Sequence, residues 1–551
     1  MAIWRFPPAP VSARTLERKL SVSDLPYPNH TWLPGLVPTG NVRKDSAMLP
    51  SKNNQWDKSA EVVIIGYGLA GAVAAITARD LGASVVILEK QSAGSHCSCS
   101  SIAMGVFLSP SDIDRATEYM IAISQVNQPV TPWTDLDSIL VWLKYSAQNK
   151  DWLVNLGGNV KFFSKGGEFP ELSGSDSMEL WKYQGSGLRM MKFMYDQVAS
   201  RKIEVCYETP VQRLLTDESG RVIGVRATDT RGGQPKEVNI RASKAVILCS
   251  GGFEENEEMK LQYLRVYPIY FAGGTGNTGD GIKMAQEVGA DLWHMNCVSA
   301  RLCAKFPDFP MAFFIDFSGG GWSQRSMLGK KEKARVGFIF VDKYGRRYMD
   351  EDLKPHAAVY ELGAFDSHKL EYPRVPSYHI FDRRRMEYGP LGQLTSGPSG
   401  PHQLYKWSRD NLAELQKGWI VRGETIAELA GNIDVSPTIL ENTVQHWNRY
   451  CEESNDPDFG RNPLELVPLD RPPFYAIKLF PGGSNTQGGP KRNSKAQVVN
   501  PFGDPILGLY EAGECGSVFG MLYPAGGGNL AECIAFGRIA AENAVREMLK
   551  V

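Results

Sequence analysis

No stretch of this 551-residue chain is apolar for long enough to cross a bilayer as a helix. Its start, MAIWRFPPAPVSARTLERKL, lacks both the apolar core and the twin arginine of an export signal. An excess of charge is also missing. Lys and Arg total 60 against 61 Asp and Glu, a formal net charge of −1, which excludes nucleic acid or an anionic membrane as the main partner. The nine cysteines are odd in number and mostly isolated, so they do not form a disulfide framework. A reduced, cytoplasmic compartment is the expectation. Nothing repeats at a fixed period, which excludes a solenoid.

The length allows more than one domain, and 42% hydrophobic residues is ordinary for a globular chain. Residues 1–58 are rich in Pro, Ser and Asn, show no period, and read as an N-terminal extension. At Glu61 the texture changes. EVVIIGYGLAGAVAAITARDLGASVVILEK reads as apolar strand, glycine turn, Ala-rich helix and second strand, a βαβ unit with a parallel sheet. KAVILCSGGF, at 244–253, is another buried-strand pattern ending in glycines. The stretch from about 291 to 465 is more polar and irregular. GLYEAGECGS and GGGNLAECIAFGRIAAENAVREML then return to strand, turn and a long final helix. The expected organisation is 59–290 as the first part of a nucleotide-binding domain, 291–465 as an insertion, and 466–551 as the second part.

Gly66, Gly68 and Gly71 form G-x-G-x-x-G directly after a strand and at a helix start. The first allows the tight turn, the second lets a pyrophosphate approach the backbone, and the third lets helix and sheet pack closely. The helix N-terminus offers free N–H groups to the phosphates. Glu89 ends the second strand, where a carboxylate can accept from ribose hydroxyls. Strand, glycines, helix, second strand and acid in register predict dinucleotide binding. The glycine-rich return near the C-terminus predicts FAD, because a flavin ring extends past the first βαβ unit and needs a second wall. A helix starting near Asn529 can aim N–H groups at the flavin N1/O2 edge, and Glu514 can hold the ribityl hydroxyls.

The segments VVIIGYGLAGAVAA, RVIGVRA, KAVILCSGGFEENEEM, TGDGIKMAQEVGADL, FVDKYGRRYMDED, NTQGGP, GLYEAGE and NLAECIAFGRIAAENA resemble the fumarate reductase/3-ketosteroid dehydrogenase family of FAD enzymes. The resemblance runs from about 61 to 551. It implies an α/β fold, a Rossmann-like FAD-binding domain (parallel sheet with helices) interrupted by an inserted α+β substrate (capping) domain. It implies hydride transfer between flavin and a CH–CH bond beside a carbonyl, and it places Val211 near the adenine. The expected cofactor-binding set is Gly66, Gly68, Leu69, Ala70, Gly71, Glu89, Lys90, Gly94, Ser95, His96, Ser101, Val211, Ser250, Gly251, Gly279, Asp280, Glu514, Asn529 and Leu530.

Departures from the family's patterns bear on the substrate. Fumarate-type members clamp a dicarboxylate with paired cations. The matching positions hold Pro355, Ala525 and Asn485, so a neutral substrate is expected. The segment Tyr523-Pro524-Ala525-Gly526-Gly527 resembles the ketosteroid Δ1-dehydrogenase branch, in which the tyrosine hydroxyl and the last glycine N–H hold the ketone oxygen. That branch also has a tyrosine base after a Phe-Pro pair. Here Phe169-Pro170 is followed by Glu171 and Leu172. His356, Tyr360, Tyr348, His294 and Tyr183 are the alternative proton-transfer candidates, and Tyr523, Gly527, His356 and Tyr360 form the expected catalytic set. The leading expectation is desaturation of a bulky neutral ketone, steroid-like. The alternatives are an ene-reductase of another unsaturated carbonyl or acid, and a non-catalytic flavin electron-transfer subunit. The expected partners are a small-molecule substrate and, since no C-x-x-C-H haem motif occurs, an external electron carrier. Oligomerisation is left open.

The stretch GSHCSCSS at 94–101 leaves the second strand just after Glu89. No further Cys/His pair completes a zinc site, and C-x-C lacks the C-x-x-C geometry that activates a thiol. Two readings stay open. Ser95-His96-Cys97 resembles the S-H-T of succinate dehydrogenase relatives, implying a histidyl flavin link, or the small side chains simply let the loop pass close to the cofactor.

Overall fold

The computed structural model describes residues 56–125, 132–319, 335–352 and 356–547. Residues 1–55 of the expected extension, and Pro355, lie outside them. Strand β1 (Lys58–Ile65) leads through Gly66 and Gly68 into helix α1 (Leu69–Asp80), then strand β2 (Val85–Leu88). The two strands pair in parallel, Val62 against Val85 through Ile65 against Leu88. The apolar run of β1 is buried on both faces, as a parallel central strand requires.

Strand β3 (Lys236–Leu248) flanks β1 on its other side, also in parallel. Beyond it lies β4 (Pro505–Glu511), parallel to β3 with Glu511 opposite Leu248. The sheet order, by residues, is 497–499, β4, β3, β1, β2, 204–206, with the hairpin 211–229 pairing onto β3. The last described strand therefore joins the first described ones, as the Gly-rich return predicted. Helix α2 (Gly528–Arg546) follows β4 and packs on α1. A Cβ at Gly537 would stand 2.9 Å from Val73 Cγ1 and 3.0 Å from Ala70 O, so only glycine lets the helices lie this close.

A second, mostly antiparallel sheet runs 313–314, 298–304, 474–486, 377–382, 338–341, with 270–271 and 421–423 also pairing on 474–486. Its pairing crosses both boundaries expected from texture, at 290/291 and 465/466. Composition changes along the chain, but the ladder is set by backbone partners, and strand 474–486 finds four of them here. A small sheet of 106–108, 160–165 and 179–183, with the helices around it, packs under α2. Among the described residues no helix is long and apolar enough to cross a membrane.

Candidate active site

The three motif glycines differ in what surrounds them. A Cβ on Gly66 would meet Cys249 O at 2.3 Å, and one on Gly71 would meet Gly66 O at 2.1 Å. Both are demanded by packing, and Gly66 also has φ +100°. A Cβ on Gly68 would find nothing nearer than 3.8 Å. Its side borders a cavity, which also meets the N-terminus of α1. That terminus carries neither a side-chain cap nor an acidic residue in its first turn. Leu69 N–H donates to Ser100 Oγ at 3.3 Å, and the N–H groups of Ala70 and Gly71, with bare backbone beside them, fit a pyrophosphate.

The same cavity is lined by Leu69, Ala70, Glu89, Lys90, His96, Val211, Ser250, Gly251, Asp280 and Glu514. Glu89 is buried, and its carboxylate accepts from Tyr67 N at 3.0 Å and Gln91 N at 2.8 Å. Burial raises its pKa, but His96 and these N–H groups outweigh that and hold it below the usual value. Lys90 Nζ pairs with Asp280 at 2.6 Å. His96 sits beside Glu89, Nε2 to Oε2 3.5 Å, with Nδ1 3.2 Å from the Tyr195 hydroxyl and its ring parallel to Tyr67.

Seven members of the expected set do not line this cavity: Gly71, packed against Gly66 O, Asn529 and Leu530, which face a second one, and Gly94, Ser95, Ser101 and Gly279. Gly94 and Ser95 are exposed, because the loop turns outward before His96 re-enters. Ser101 is buried and donates to Ser98 O at 2.7 Å. Gly279 is turned away at φ +75° as the N-cap of helix Asp280–Glu287, its Cβ position filled by Met259. The cysteines of the loop do not act as a pair. Cys97 faces Ser101 at 3.8 Å, whereas Cys99 Sγ accepts from Gly274 N at 3.0 Å and Asn277 Nδ2 at 3.3 Å. Burial raises both thiol pKa values, the opposite of activation. Among the described residues no three His, Cys, Asp or Glu side chains are grouped to hold a metal ion.

Glu514, Cys99 and Ser100 also line a second cavity, which continues toward the start of α2. Asn529 and Leu530 face this one. Behind the junction lies Glu254, buried and accepting from Thr486 N at 2.6 Å and Thr486 Oγ1 at 3.1 Å. Burial and mutual repulsion raise the pKa of Glu514, and burial raises that of Glu254.

Tyr523, Gly527 and His356 meet in the second cavity. The Tyr523 hydroxyl accepts the Asn529 N–H at 2.7 Å, which leaves its own proton to donate. Gly527 takes φ +95° to start α2. The His356 ring stands 4.6 Å from the Tyr523 ring, with Nδ1 3.1 Å from Glu168 Oε1. The remaining candidates are elsewhere. Tyr360 does not line the cavity, because its hydroxyl donates to Met521 O at 2.8 Å. Tyr348 bonds Ser377 at 3.0 Å, and the two ring nitrogens of His294 lie 2.8 Å from Ser517 O and 2.7 Å from Trp133 O. Tyr183 packs beside Phe193.

Two residues missed by the motif reading line or border this cavity. Arg301, on strand Val298–Ala304, reaches it with Gln393 Oε1 at 3.3 Å and the Phe314 ring at 5.2 Å. No described carboxylate lies within ion-pair distance of it. Burial lowers its pKa, partly offset by Glu168, yet a guanidinium stays charged. The three motif positions lack a cation, as read from sequence, but Arg301 brings one to the cavity from another strand. An arginine inside VSARLCA, an otherwise small and apolar strand, was the available signal. Glu168 directly precedes the Phe169-Pro170 pair.

A parallel sheet with a glycine turn, an acid-tipped second strand and a second cavity under a separate sheet define a dinucleotide-binding α/β flavoprotein. Residues 61–530 match the family model described as FAD binding domain, and the chain belongs to that family. It is 27% identical over 519 residues to a urocanate reductase of Eggerthella lenta, covering 91% of this chain and 77% of that one. It is 31% identical over 353 residues to a 3-oxosteroid 1-dehydrogenase of Mycolicibacterium smegmatis, covering 59% of this chain and 57% of that one. A crystal structure of 3-ketosteroid delta1-dehydrogenase from Sterolibacterium denitrificans, in complex with 1,4-androstadiene-3,17-dione, superposes with a TM-score of 0.73 at 22% identity. It covers 89% of this chain and 100% of that one, a likeness of fold. The protein is an FAD-dependent oxidoreductase of the class acting on CH–CH bonds.

Proposed function

We propose that this enzyme reduces a carbon–carbon double bond conjugated to a carboxylate. One observation carries the reading. Arg301 presents a guanidinium with no described carboxylate in ion-pair reach to the cavity that also holds Tyr523 and His356. An anionic acyl group is the ligand that such a desolvated cation favours. The relative named as a urocanate reductase, matched over 91% of this chain, supports the same direction.

We assign the first cavity to the adenosine and pyrophosphate of FAD. Glu89 holds the ribose, Val211 lies by the adenine, and the α1 N-terminus faces the phosphates. Glu514 stands at the ribityl chain, and the second cavity takes the flavin ring and substrate. FAD, when bound, supplies the hydride. Arg301 grips the carboxylate and draws electron density from the double bond, and the Tyr523 hydroxyl supplies a second donor. His356 holds a proton for the other carbon. The second sheet, closing over this cavity, serves as the substrate cap. His96 belongs to the Glu89 end, so the flavin is bound without a covalent link, and acid precipitation releases its colour into the supernatant.

A second reading, desaturation of a 3-ketosteroid, is favoured by the Tyr523 hydroxyl and its place beside Gly527. Two assays separate the readings. Dithionite-reduced protein is mixed anaerobically with urocanate, and flavin reoxidation is followed. Oxidised protein is mixed with a 3-ketosteroid and dichlorophenolindophenol. Reoxidation without dye bleaching supports the enoate reading. Dye bleaching without reoxidation overturns it.

A further inference from the structure

We propose that Glu168 is a positioning residue, which fixes the His356 ring and supplies the countercharge when that ring carries two protons. The inference rests on the reading that the second cavity is the substrate site.

One carboxylate oxygen of Glu168 makes two contacts with His356. Oε1 is 3.1 Å from the ring Nδ1, an ion-pair distance without hydrogen-bond alignment, and it accepts the His356 backbone N–H at 3.3 Å. Backbone and ring are thus referred to the same atom. With Nδ1 facing Glu168, Nε2 is the nitrogen left for the cavity. Both side chains are largely buried, at 6% and 10% exposure, so water competes weakly for either.

Glu168 is itself anchored to the segment that carries Tyr523. Its N–H donates to Pro524 O at 2.8 Å. The Tyr119 hydroxyl donates to the same Pro524 O at 2.7 Å and accepts the Phe169 N–H at 3.2 Å. The loop at 168–169, the helix Ile113–Ser124 and the turn at Pro524 are therefore tied into one cluster. It sets the distance between the two groups proposed to touch the substrate.

The charges around His356 make the carboxylate necessary. Arg301 lines the same cavity and repels a positive ring. Tyr523 is neutral, its pKa pushed up by burial, and Glu514 lies across the cavity with its pKa raised as well. Glu168 is the ionised acid of the group. Burial raises its pKa, but His356 and Arg301 outweigh that and hold it below the usual value.

In the reduction, the Nε2–H bond breaks and a C–H bond forms at one substrate carbon, while the hydride from the reduced cofactor bonds the other. The ring is left neutral and regains its proton from water. Glu168 stays ionised throughout and exchanges no proton.

The test uses the FAD-loaded protein and its E168Q, E168D and H356Q variants. Reoxidation of the reduced flavin by urocanate is followed from about pH 5 to 9, the range in which imidazole titrates. E168Q is expected to bind FAD normally and to react about 10²-fold more slowly, with the alkaline limb of its pH profile displaced to lower pH. E168D, which keeps the charge, restores most of the rate. If E168Q keeps the wild-type rate and limb while H356Q loses them, Glu168 has no such role. If H356Q reacts like wild type, or wild type is not reoxidised, the proposed function fails, and this inference with it.

Discussion

Replacing Arg301 with glutamine is expected to weaken substrate binding and strengthen the fold in the same molecule. Among the described residues the guanidinium hydrogen-bonds one group, Gln393 Oε1 at 3.3 Å, and meets one aromatic face, Phe314, at 5.2 Å. Its remaining donors are available to a ligand. Each charge-assisted hydrogen bond to a carboxylate contributes about 1.5–3 kcal/mol. Loss of a two-point grip therefore costs about 3–6 kcal/mol, or at least about 10²-fold in affinity. The fold gains, because a desolvated cation with no described carboxylate in ion-pair reach is replaced by a neutral amide. Relief of about 1 kcal/mol is expected. Urocanate does not react with oxidised flavin, so its Kd is read from the change in flavin absorbance on titration, and Tm from thermal denaturation of the same samples. R301K keeps the charge without the planar fork and falls between the two. Wild-type affinity in R301Q, or a Tm lowered by several degrees, would show that Arg301 is a structural residue and not a carboxylate ligand.

Three further outcomes follow from the geometry. G71A drives a methyl group into Gly66 O, at 2.1 Å, and lowers both Tm and FAD content, whereas G68A has room and lowers FAD content alone, read from flavin absorbance per protein. R492L strips the cation from buried Glu511 and Glu532, both bonded to Arg492, and is expected to cost about 3–5 kcal/mol in denaturant unfolding. Burial raises the pKa of Glu254 above the ordinary 4.5, so the folded protein keeps a proton that the unfolded chain has released. Stability then falls as pH rises from about 4.5 toward neutrality, and E254Q flattens that slope in unfolding measured across the range.

Some of the site could be read from neighbouring letters. The turn after β1 needs glycine at 66 and 71 for reasons confined to a few residues, backbone sign and close approach, so spacing revealed it. Glu89 followed from its place at the tip of β2, and Tyr523 with Gly527 from a five-residue segment. Gly94 and Ser95 were misread, because nothing local shows which way an irregular loop turns. Tyr360 was misread for a related reason. Its hydroxyl is consumed by Met521 O, a partner 161 residues away.

By itself the sequence determined that strand, glycine turn, helix and strand form a dinucleotide fold, and that the C-terminal strand and helix return to it. Those features rest on backbone conformations and hydrophobic periods that a short window contains. The tertiary structure alone decided that Arg301 and Glu168 join His356 and Tyr523 around one cavity, and that strand 474–486 belongs to the second sheet. Charge in a cavity depends on which side chains the sheets bring together and which carboxylates they leave out of reach. Three absent cations in the motifs suggested a neutral substrate, but a cation from strand Val298–Ala304 reaches the cavity across the fold.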